Sequence, residues 1–288
     1  MTDEHGKTNE PNPSDTAGAS DTPAIDDVKG LQDIIAQRRL DLGIKPGAAN
    51  PLQITAAMPA RELTPDELAA REETEKRMAL AEQRSRRQGM LAVLCDDAGQ
   101  RYSECSFSTF RILNSKQQEA LDTAKTYADT VVERIANRES LLFYGPCGTG
   151  KDHLAFAVCR TAILQSGRSV RWINGQDWFG DIRDEMGDEG ITERRSLARL
   201  CVADLLVASD PLPPIGPLTQ HQCTMLYRLV NARWCHGKPT IMTINVANDE
   251  EADSRLGVPT WDRLCDGAWM VHCNWQSYRK PARIVNGK

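Results

Sequence analysis

A glycine-rich octapeptide is the part of the sequence whose residue types and spacing most directly imply chemistry. It reads Gly145-Pro146-Cys147-Gly148-Thr149-Gly150-Lys151-Asp152. Glycines at this spacing let successive backbone N–H groups turn toward one point, where the positive end of the following helix dipole also lies. The lysine adds a positive charge for the β- and γ-phosphates of a nucleotide. We therefore predict that all eight residues bind ATP; they are called the phosphate loop below.

The last residue of the phosphate loop departs from the usual pattern. A Ser or Thr hydroxyl normally follows the lysine and binds Mg²⁺, but Asp152 stands there. A carboxylate can also bind Mg²⁺, although it brings negative charge toward the phosphates. We predict a Mg²⁺ site formed by Asp152 together with Ser209 and Asp210, with a geometry that differs from the usual one.

Ser209 and Asp210 follow the apolar run Leu205-Leu206-Val207-Ala208. Nucleotidases commonly carry two acids at such a strand end, one for the metal and one for the attacking water. Here there is only one acid. Either Asp210 activates the water and Ser209 occupies the metal-holding place, or Asp210 holds the metal and the base is missing. Both alternatives predict a weak ATPase that converts ATP and water to ADP and phosphate slowly.

Short apolar runs alternate with helical patterns over the second half of the chain, and they would position these residues. Five runs predict strands, at 141–144, 170–173, 205–208, 240–244 and 269–272. Each of the first four is followed by enough residues for a helical crossover. The pattern predicts an α/β P-loop fold with a five-stranded parallel sheet flanked by helices. Further helices are predicted at 114–138, 176–187 and 191–201.

The N-terminal third of the sequence has a different composition. Residues 1–28 are polar and predict a disordered acidic tail. Residues 29–95 predict a helical extension, with a short helix ending at Gly43, a linker at 44–60, and a charged helix from the capping box at Thr64 to about Arg87. We expect this extension to bind a protein partner, although its short helix could instead pack on its own chain. Residues 96–288 form the predicted ATPase domain.

Composition and charge narrow the classes further. No run approaches the ~20 apolar residues of a membrane helix, and no secretory signal precedes the body, so we expect a cytoplasmic protein without membrane contact. The odd cysteine count without a CxxC pair favours reduced thiols. Residues 1–30 hold seven acidic residues and two lysines, whereas residues 31–288 hold equal numbers of acidic and basic residues. Any nucleic-acid contact must therefore come from a local basic patch.

Several strings of the sequence resemble the DnaC-type replicative helicase loaders and the related IstB transposition helpers, which belong to the AAA+ ATPases. They are Arg101-Tyr102, Ser106-Phe107, GTGK with His153-Leu154-Ala155, Asp204-Leu205-Leu206-Val207, Thr243-Ile244-Asn245, Trp261-Asp262-Arg263-Leu264 and Asn274-Trp275-Gln276-Ser277-Tyr278-Arg279. The likeness covers about residues 100–280. The last string is specific to the loaders and favours them over the transposition helpers.

The resemblance implies roles for three residues outside the phosphate loop. Asn245 corresponds to the polar sensor of the γ-phosphate or water, and Arg279 to a second sensor that contacts the nucleotide. Arg263 corresponds to an arginine finger presented to a neighbouring subunit's nucleotide, so activity would depend on a homo-oligomer. As in loaders and helpers, little or no C-terminal lid is expected after the fifth strand.

The resemblance also implies partners. The region between the second and third strands would touch single-stranded DNA through Arg183, Arg194 and Arg195. Trp178 and Phe179 could stack on bases there, but we expect them to pack in the core instead. A DnaB-like ring helicase would be the protein partner. Three functions stay open at this point: a helicase loader stimulated by DNA or its partner, a transposition helper, and a nucleotide-switched adaptor that barely cleaves ATP.

Overall fold

The computed structural model describes residues 64–185 and 193–279. The predicted acidic tail at 1–28, the short helix ending at Gly43 and the linker at 44–60 lie outside these ranges. The chain divides into two units, residues 1–68 and residues 69–288. The α/β fold belongs to the second unit.

Five parallel strands form one sheet in the order β2-β3-β4-β1-β5. They are β1 (Leu141–Tyr144), β2 (Val170–Asn174), β3 (Leu205–Ser209), β4 (Thr240–Ile244) and β5 (Trp269–His272). All five predicted strands are confirmed, and β2 and β3 each extend one residue further. Because β1 lies between β4 and β5, the phosphate loop leaves the sheet next to the carboxyl end of β4, where ligands bind in open α/β sheets.

Nine helices of at least six residues accompany the sheet in the described ranges. They are α1 (Pro65–Ala98), α2 (Ser115–Asp129), α3 (Val131–Ala136), α4 (Lys151–Ser166), α5 (Gly175–Glu185), α6 (Glu193–Val202), α7 (Gln220–Cys235), α8 (Asp249–Leu256) and α9 (Val258–Cys265). Within residues 64–185 and 193–279, no helix is long and apolar enough to cross a membrane.

The segment predicted as one helix from 114 to 138 is two helices, α2 and α3. The break is at Thr130, whose φ and ψ of −106° and 19° leave the helical region. The Thr130 hydroxyl donates a hydrogen bond to the Thr126 carbonyl at 2.7 Å. Such back-bonding favours a bend but does not by itself end a helix, because Thr123 and Thr126 make the same bond inside α2. An apolar periodicity carries no signal of the break.

The helices cover both faces of the sheet. The end of α1, together with α2 and α4, packs on one face through residues such as Leu94, Leu121 and Phe156. The helices α5 to α9 cover the other face. Trp178 and Phe179 are each 5% exposed in that second core. Their predicted core packing is confirmed, so neither ring is free to stack on a base.

Helix α1 begins as predicted but ends later. Thr64 and Glu67 form the capping box, with the Glu67 N–H donating to the Thr64 hydroxyl at 3.3 Å and the Thr64 N–H to the Glu67 carboxylate at 2.9 Å. The helix passes Arg87 and continues to Ala98, and Leu94 is fully buried. The predicted boundary between residues 95 and 96 therefore falls inside α1, because the last turns carry apolar side chains that belong to the core.

A cleft at the phosphate loop

The phosphate loop connects β1 to α4 in the predicted position. Gly145 has a φ of 133°, and a Cβ there would stand 2.6 Å from the Cys273 carbonyl oxygen, so only glycine fits. Lys151, the first residue of α4, folds its side chain back across the loop. Its ammonium donates to the carbonyl oxygens of Gly145 and Pro146 at 2.8 and 2.7 Å. Lys151 is only 6% exposed, and this burial lowers the pKa of the ammonium.

A chain of hydrogen bonds links this lysine to the carboxyl ends of β3 and β4. Lys151 Nζ donates to Asn245 Oδ1 at 2.8 Å, and Asn245 Nδ2 donates to Asp210 Oδ2 at 2.5 Å. The amide orientation follows from its partners, because an ammonium can only donate and a carboxylate accepts. Asn245 thus connects Lys151 to the acid at the end of β3.

Asp210 follows β3 in an unusual backbone conformation. Its φ is 45°, in the left-handed region that Asp tolerates better than most residues. Its N–H donates to the Thr243 carbonyl at 2.8 Å. Its own carbonyl lies where a Cβ at position 175 would be, so Gly175 permits this turn. Burial, reinforced by the nearby Asp152 carboxylate, raises the pKa of Asp210, while Lys151 opposes the rise.

Asp152 and Ser209 are in direct contact. Asp152 Oδ1 accepts hydrogen bonds from Ser209 Oγ at 3.0 Å and from Thr243 Oγ1 at 2.6 Å. A longer contact of 3.4 Å joins the Tyr102 hydroxyl to Asp152 Oδ2. Ser209 and its neighbour Asp210 therefore have different partners: Ser209 bonds Asp152, and Asp210 bonds Asn245.

The segment after β5 lies along the phosphate loop. The Trp275 indole N–H donates to the Thr149 carbonyl at 2.9 Å, and the Tyr278 backbone N–H donates to the Gly148 carbonyl at 2.8 Å. The Tyr278 hydroxyl donates to the Arg111 carbonyl, and both residues line the cleft. The string from Asn274 to Arg279 therefore contacts the phosphate loop and supports it.

A cleft of about 420 Å³ opens above these groups, within the ordinary range of ligand pockets. Its walls include the phosphate loop, the carboxyl ends of β3 and β4, residues of the segment 101–111 and the predicted second sensor. Among the lining residues are Cys147, Gly148, Gly150, Lys151, Asp152, Asp210, Thr243, Asn245 and Arg279. The structure thus brings most of the predicted site residues together. Phe110 and Tyr278 also line the cleft, and no sequence pattern predicts their place there.

Arg263 lies on α9, outside this cleft. Its guanidinium carbon stands 4.9 Å from the Tyr227 ring centre and 5.7 Å from that of Trp234. Its Nε donates to Asn231 Oδ1 at 2.8 Å. Among the described residues no carboxylate forms an ion pair with it. The arginine is therefore held in place by neutral groups.

The basic residues predicted to contact nucleic acid are also separate from the cleft. Arg183 on α5 and Arg195 on α6 are exposed. Arg194 belongs to α6 as well, and its side chain lies outside the described part of the chain. Both helices stand between β2 and β3 in the chain, as the sequence predicts.

The chain is similar to proteins of known families. Residues 72–285 match the family model of the IstB-like ATP binding proteins. The chain belongs to this family. The replicative helicase loader DnaC of Escherichia coli (strain K12) is 34% identical over 182 residues, which are 62% of this chain and 70% of that protein. DnaC of Buchnera aphidicola subsp. Schizaphis graminum is 31% identical over 187 residues, 63% of this chain and 72% of that protein.

A crystal structure of the DnaC helicase loader has the same fold. It aligns with a TM-score of 0.55 and 22% sequence identity, over 60% of this chain and 99% of that one. The resemblance to DnaC-type and IstB-like proteins and the predicted P-loop α/β fold are both confirmed.

One residue that positions the site of this IstB-like protein was not identified from sequence. Arg255 on α8 donates to the Asn245 carbonyl at 3.1 Å and to the Pro213 carbonyl at 2.6 Å. It thereby ties the residue after β4 to the loop that follows Asp210. A single arginine on a charged helix gives no local pattern, so only the tertiary structure identifies this role.

Cys147 offers a chemical test of the cleft. Its side chain is exposed and lines the cleft beside the phosphate loop. We expect N-ethylmaleimide at Cys147 to block ATP binding by steric exclusion, and ATP to slow the modification; mass spectrometry locates the label and calorimetry measures the affinity. A Cys147→Ser variant should keep ATP binding and resist the reagent, even though the exposed Cys235 is still labelled. Full labelling of Cys147 without loss of affinity would contradict the assignment.

Proposed function

We propose that this IstB-like protein is a cytoplasmic, ATP-dependent helicase loader that binds Mg²⁺·ATP and single-stranded DNA and delivers a DnaB-like ring helicase. The chain of hydrogen bonds from Lys151 through Asn245 to Asp210 is the observation that supports ATP binding. The similarity to relatives that are named replicative helicase loaders supports a ring helicase as the partner. Their match includes most of their own length.

The cleft has the groups that ATP requires. The phosphate-loop amides and Lys151 would bind the phosphates, and Arg279, which lies beside Gly148, would add a second positive charge. Asn245 would contact the γ-phosphate and is hydrogen-bonded to Asp210. Carboxylate and hydroxyl oxygens are the ligands that Mg²⁺ prefers, and Asp152, Ser209 and Asp210 supply both kinds. When bound, Mg²⁺ would neutralise charge on the phosphates.

Asp210 is the group that would activate the attacking water. Its bond to Asn245, and that of Ser209 to Asp152, favour the alternative in which Asp210 takes the water-activating place and Ser209 the metal-holding one. A carboxylate whose pKa is raised by burial accepts a proton more readily. Turnover by the isolated chain would still be slow, because Arg263 lies outside its own cleft and would have to come from a neighbouring copy.

Separate surfaces would hold the partners. Arg183, Arg194 and Arg195 would follow the phosphates of single-stranded DNA. Residues 29–95 would bind the helicase. In α1, every residue from 69 to 86 is exposed, so this stretch is accessible to a partner.

The loading function is tested with the ring helicase of the same cell. The full chain should capture the helicase in the presence of ATP and place it on a single-stranded DNA circle that lacks free ends, measured as unwinding of an annealed oligonucleotide. Filament formation on duplex DNA without helicase capture would favour the transposition helper. ATP-dependent capture without any hydrolysis would favour the adaptor.

Two N-terminal truncations separate the partner surface from the ATPase domain. Deletion of residues 1–85 should leave ATP affinity and melting temperature unchanged and abolish helicase capture. Deletion of residues 1–95 also removes the fully buried Leu94, and losing such a side chain costs about 2–5 kcal/mol of stability. Calorimetry, thermal unfolding and co-purification measure the three properties. Helicase capture by the shorter deletion would place the docking surface in the ATPase domain instead.

A further inference from the structure

Two positions carry exchanged residue types: Asp152, which lines the cleft, and Ser209, which contacts Asp152. In phosphate loops of this kind the residue after the lysine is a hydroxyl residue and the strand-end residue that holds Mg²⁺ is an aspartate. Here the residue after the lysine is the aspartate, Asp152, and the strand-end residue is the hydroxyl, Ser209. The two side chains are hydrogen-bonded to each other, Ser209 Oγ to Asp152 Oδ1, at 3.0 Å.

We propose that Asp152 and Ser209 have exchanged roles at the Mg²⁺ site, so that the Asp152 carboxylate is the charged ligand on the loop side and the Ser209 hydroxyl is its neutral counterpart on the sheet. This inference rests on the proposed binding of Mg²⁺·ATP and specifies which residues hold the metal. It makes the two residues a single functional unit, in which changing either one alone disrupts the site.

The charge of the cleft is the first argument. An aspartate added to the phosphate loop would on its own place an extra negative charge beside the phosphates. The loss of the strand-end aspartate removes one from the same place, because the two side chains are in contact. The cleft therefore still holds two carboxylates, Asp152 and Asp210, and the exchange leaves their number unchanged.

The hydrogen bonds of Asp152 are the second argument. Its Oδ1 accepts from both Ser209 and Thr243, whereas Oδ2 has only the 3.4 Å contact with Tyr102 among the described residues. A contact of that length is weak for a hydroxyl donor and a carboxylate oxygen. Two neighbouring hydroxyls thus fix the orientation of the carboxylate, and Oδ2 is the oxygen left to bind a cation.

The exchange is tested by reversing it. The variants are Asp152→Ser, Ser209→Asp and the double variant, each loaded with a non-hydrolysable ATP analogue. Bound Mn²⁺, which replaces Mg²⁺, is measured by electron paramagnetic resonance. We expect Asp152→Ser to weaken Mn²⁺ binding by about tenfold or more. Ser209→Asp crowds three carboxylates together and should also weaken Mn²⁺·analogue binding. The double variant should return to within about twofold of the wild-type affinity.

Controls keep the outcome specific. Asp122→Asn removes an exposed carboxylate on α2 and should change nothing. Melting temperatures of all variants report on folding. A double variant as weak as the two single changes combined would overturn the exchange, as would Asp152→Ser with wild-type Mn²⁺ affinity. Failure of the wild-type chain to bind the analogue, with or without Mn²⁺, would instead contradict the proposed ATP binding.

Discussion

An Arg263→Ala variant is expected to bind ATP as tightly as the wild-type chain but to lose the stimulation of hydrolysis by single-stranded DNA or by the helicase. Arg263 lies outside its own cleft, and it is fixed by Tyr227, Asn231 and Trp234 without an ion pair to a described carboxylate. An arginine supplied to a neighbouring γ-phosphate contributes ~10³-fold or more to turnover in other nucleotidases. Phosphate release at fixed salt, with and without DNA, measures the loss.

Two further variants make this result specific. Arg263→Lys keeps the charge but lacks the planar, forked donors, so most of the stimulation should still be lost. Asp210→Asn should remove the unstimulated turnover as well, because it eliminates the proton acceptor. Rapid hydrolysis by a dilute monomer that is insensitive to Arg263→Ala would show that the site is complete within one chain.

Replacement of Lys151 is expected to have the largest effect on nucleotide affinity. Lys151→Met should weaken ATP binding by at least about 100-fold, because charge-assisted bonds to phosphate are worth more than neutral ones and the side chain also organises the loop. Isothermal calorimetry measures the affinity. The side chain is buried and donates to three acceptors, Gly145 O, Pro146 O and Asn245 Oδ1. Pro146 O keeps its bond from the Thr149 hydroxyl, so the variant leaves Gly145 O and Asn245 Oδ1 without this donor, at about 1–3 kcal/mol of stability for each that stays buried.

The stability loss requires a matched control. Lys151→Met keeps most of the side-chain length. If this variant unfolds at a lower temperature but keeps an intact sheet below that temperature, its loss of ATP affinity does not result from a loss of the fold. Asn245→Ala removes one acceptor of the lysine while keeping the charge, so it should weaken ATP binding less than Lys151→Met. Wild-type ATP affinity in Lys151→Met would refute the phosphate site.

The sequence was sufficient to predict the sheet for a physical reason. Strands buried on both faces are continuous apolar runs, and the glycines of the phosphate loop mark the turn between β1 and α4. The end of α1 was harder to predict, because its exposed charged stretch continues without a break into turns whose apolar residues belong to the core. A predicted boundary near residue 95 therefore cut through a helix that the core stabilises.

The chemistry of individual residues was predictable, but their contacts were not. Asp152 and Ser209 are 57 positions apart, and Lys151 and Asn245 are 94 apart. Which of them touch depends on the strand order, in which β4 separates β3 from β1. A sequence pattern does not fix that order. Gly175 and Arg255 show the same limit, since each acts on a residue that is distant in the chain.

The contacts between the segment after β5 and the phosphate loop have a consequence for how the protein becomes active during synthesis. Trp275 and Thr149 are 126 positions apart, so the bond between them closes one of the long loops of the fold. Pairings over such distances form late, because the entropy lost on loop closure is regained only when both partners are present. On the ribosome, the loop emerges long before Trp275 and Tyr278. A nascent chain therefore completes its nucleotide site only after Tyr278 has left the ribosome.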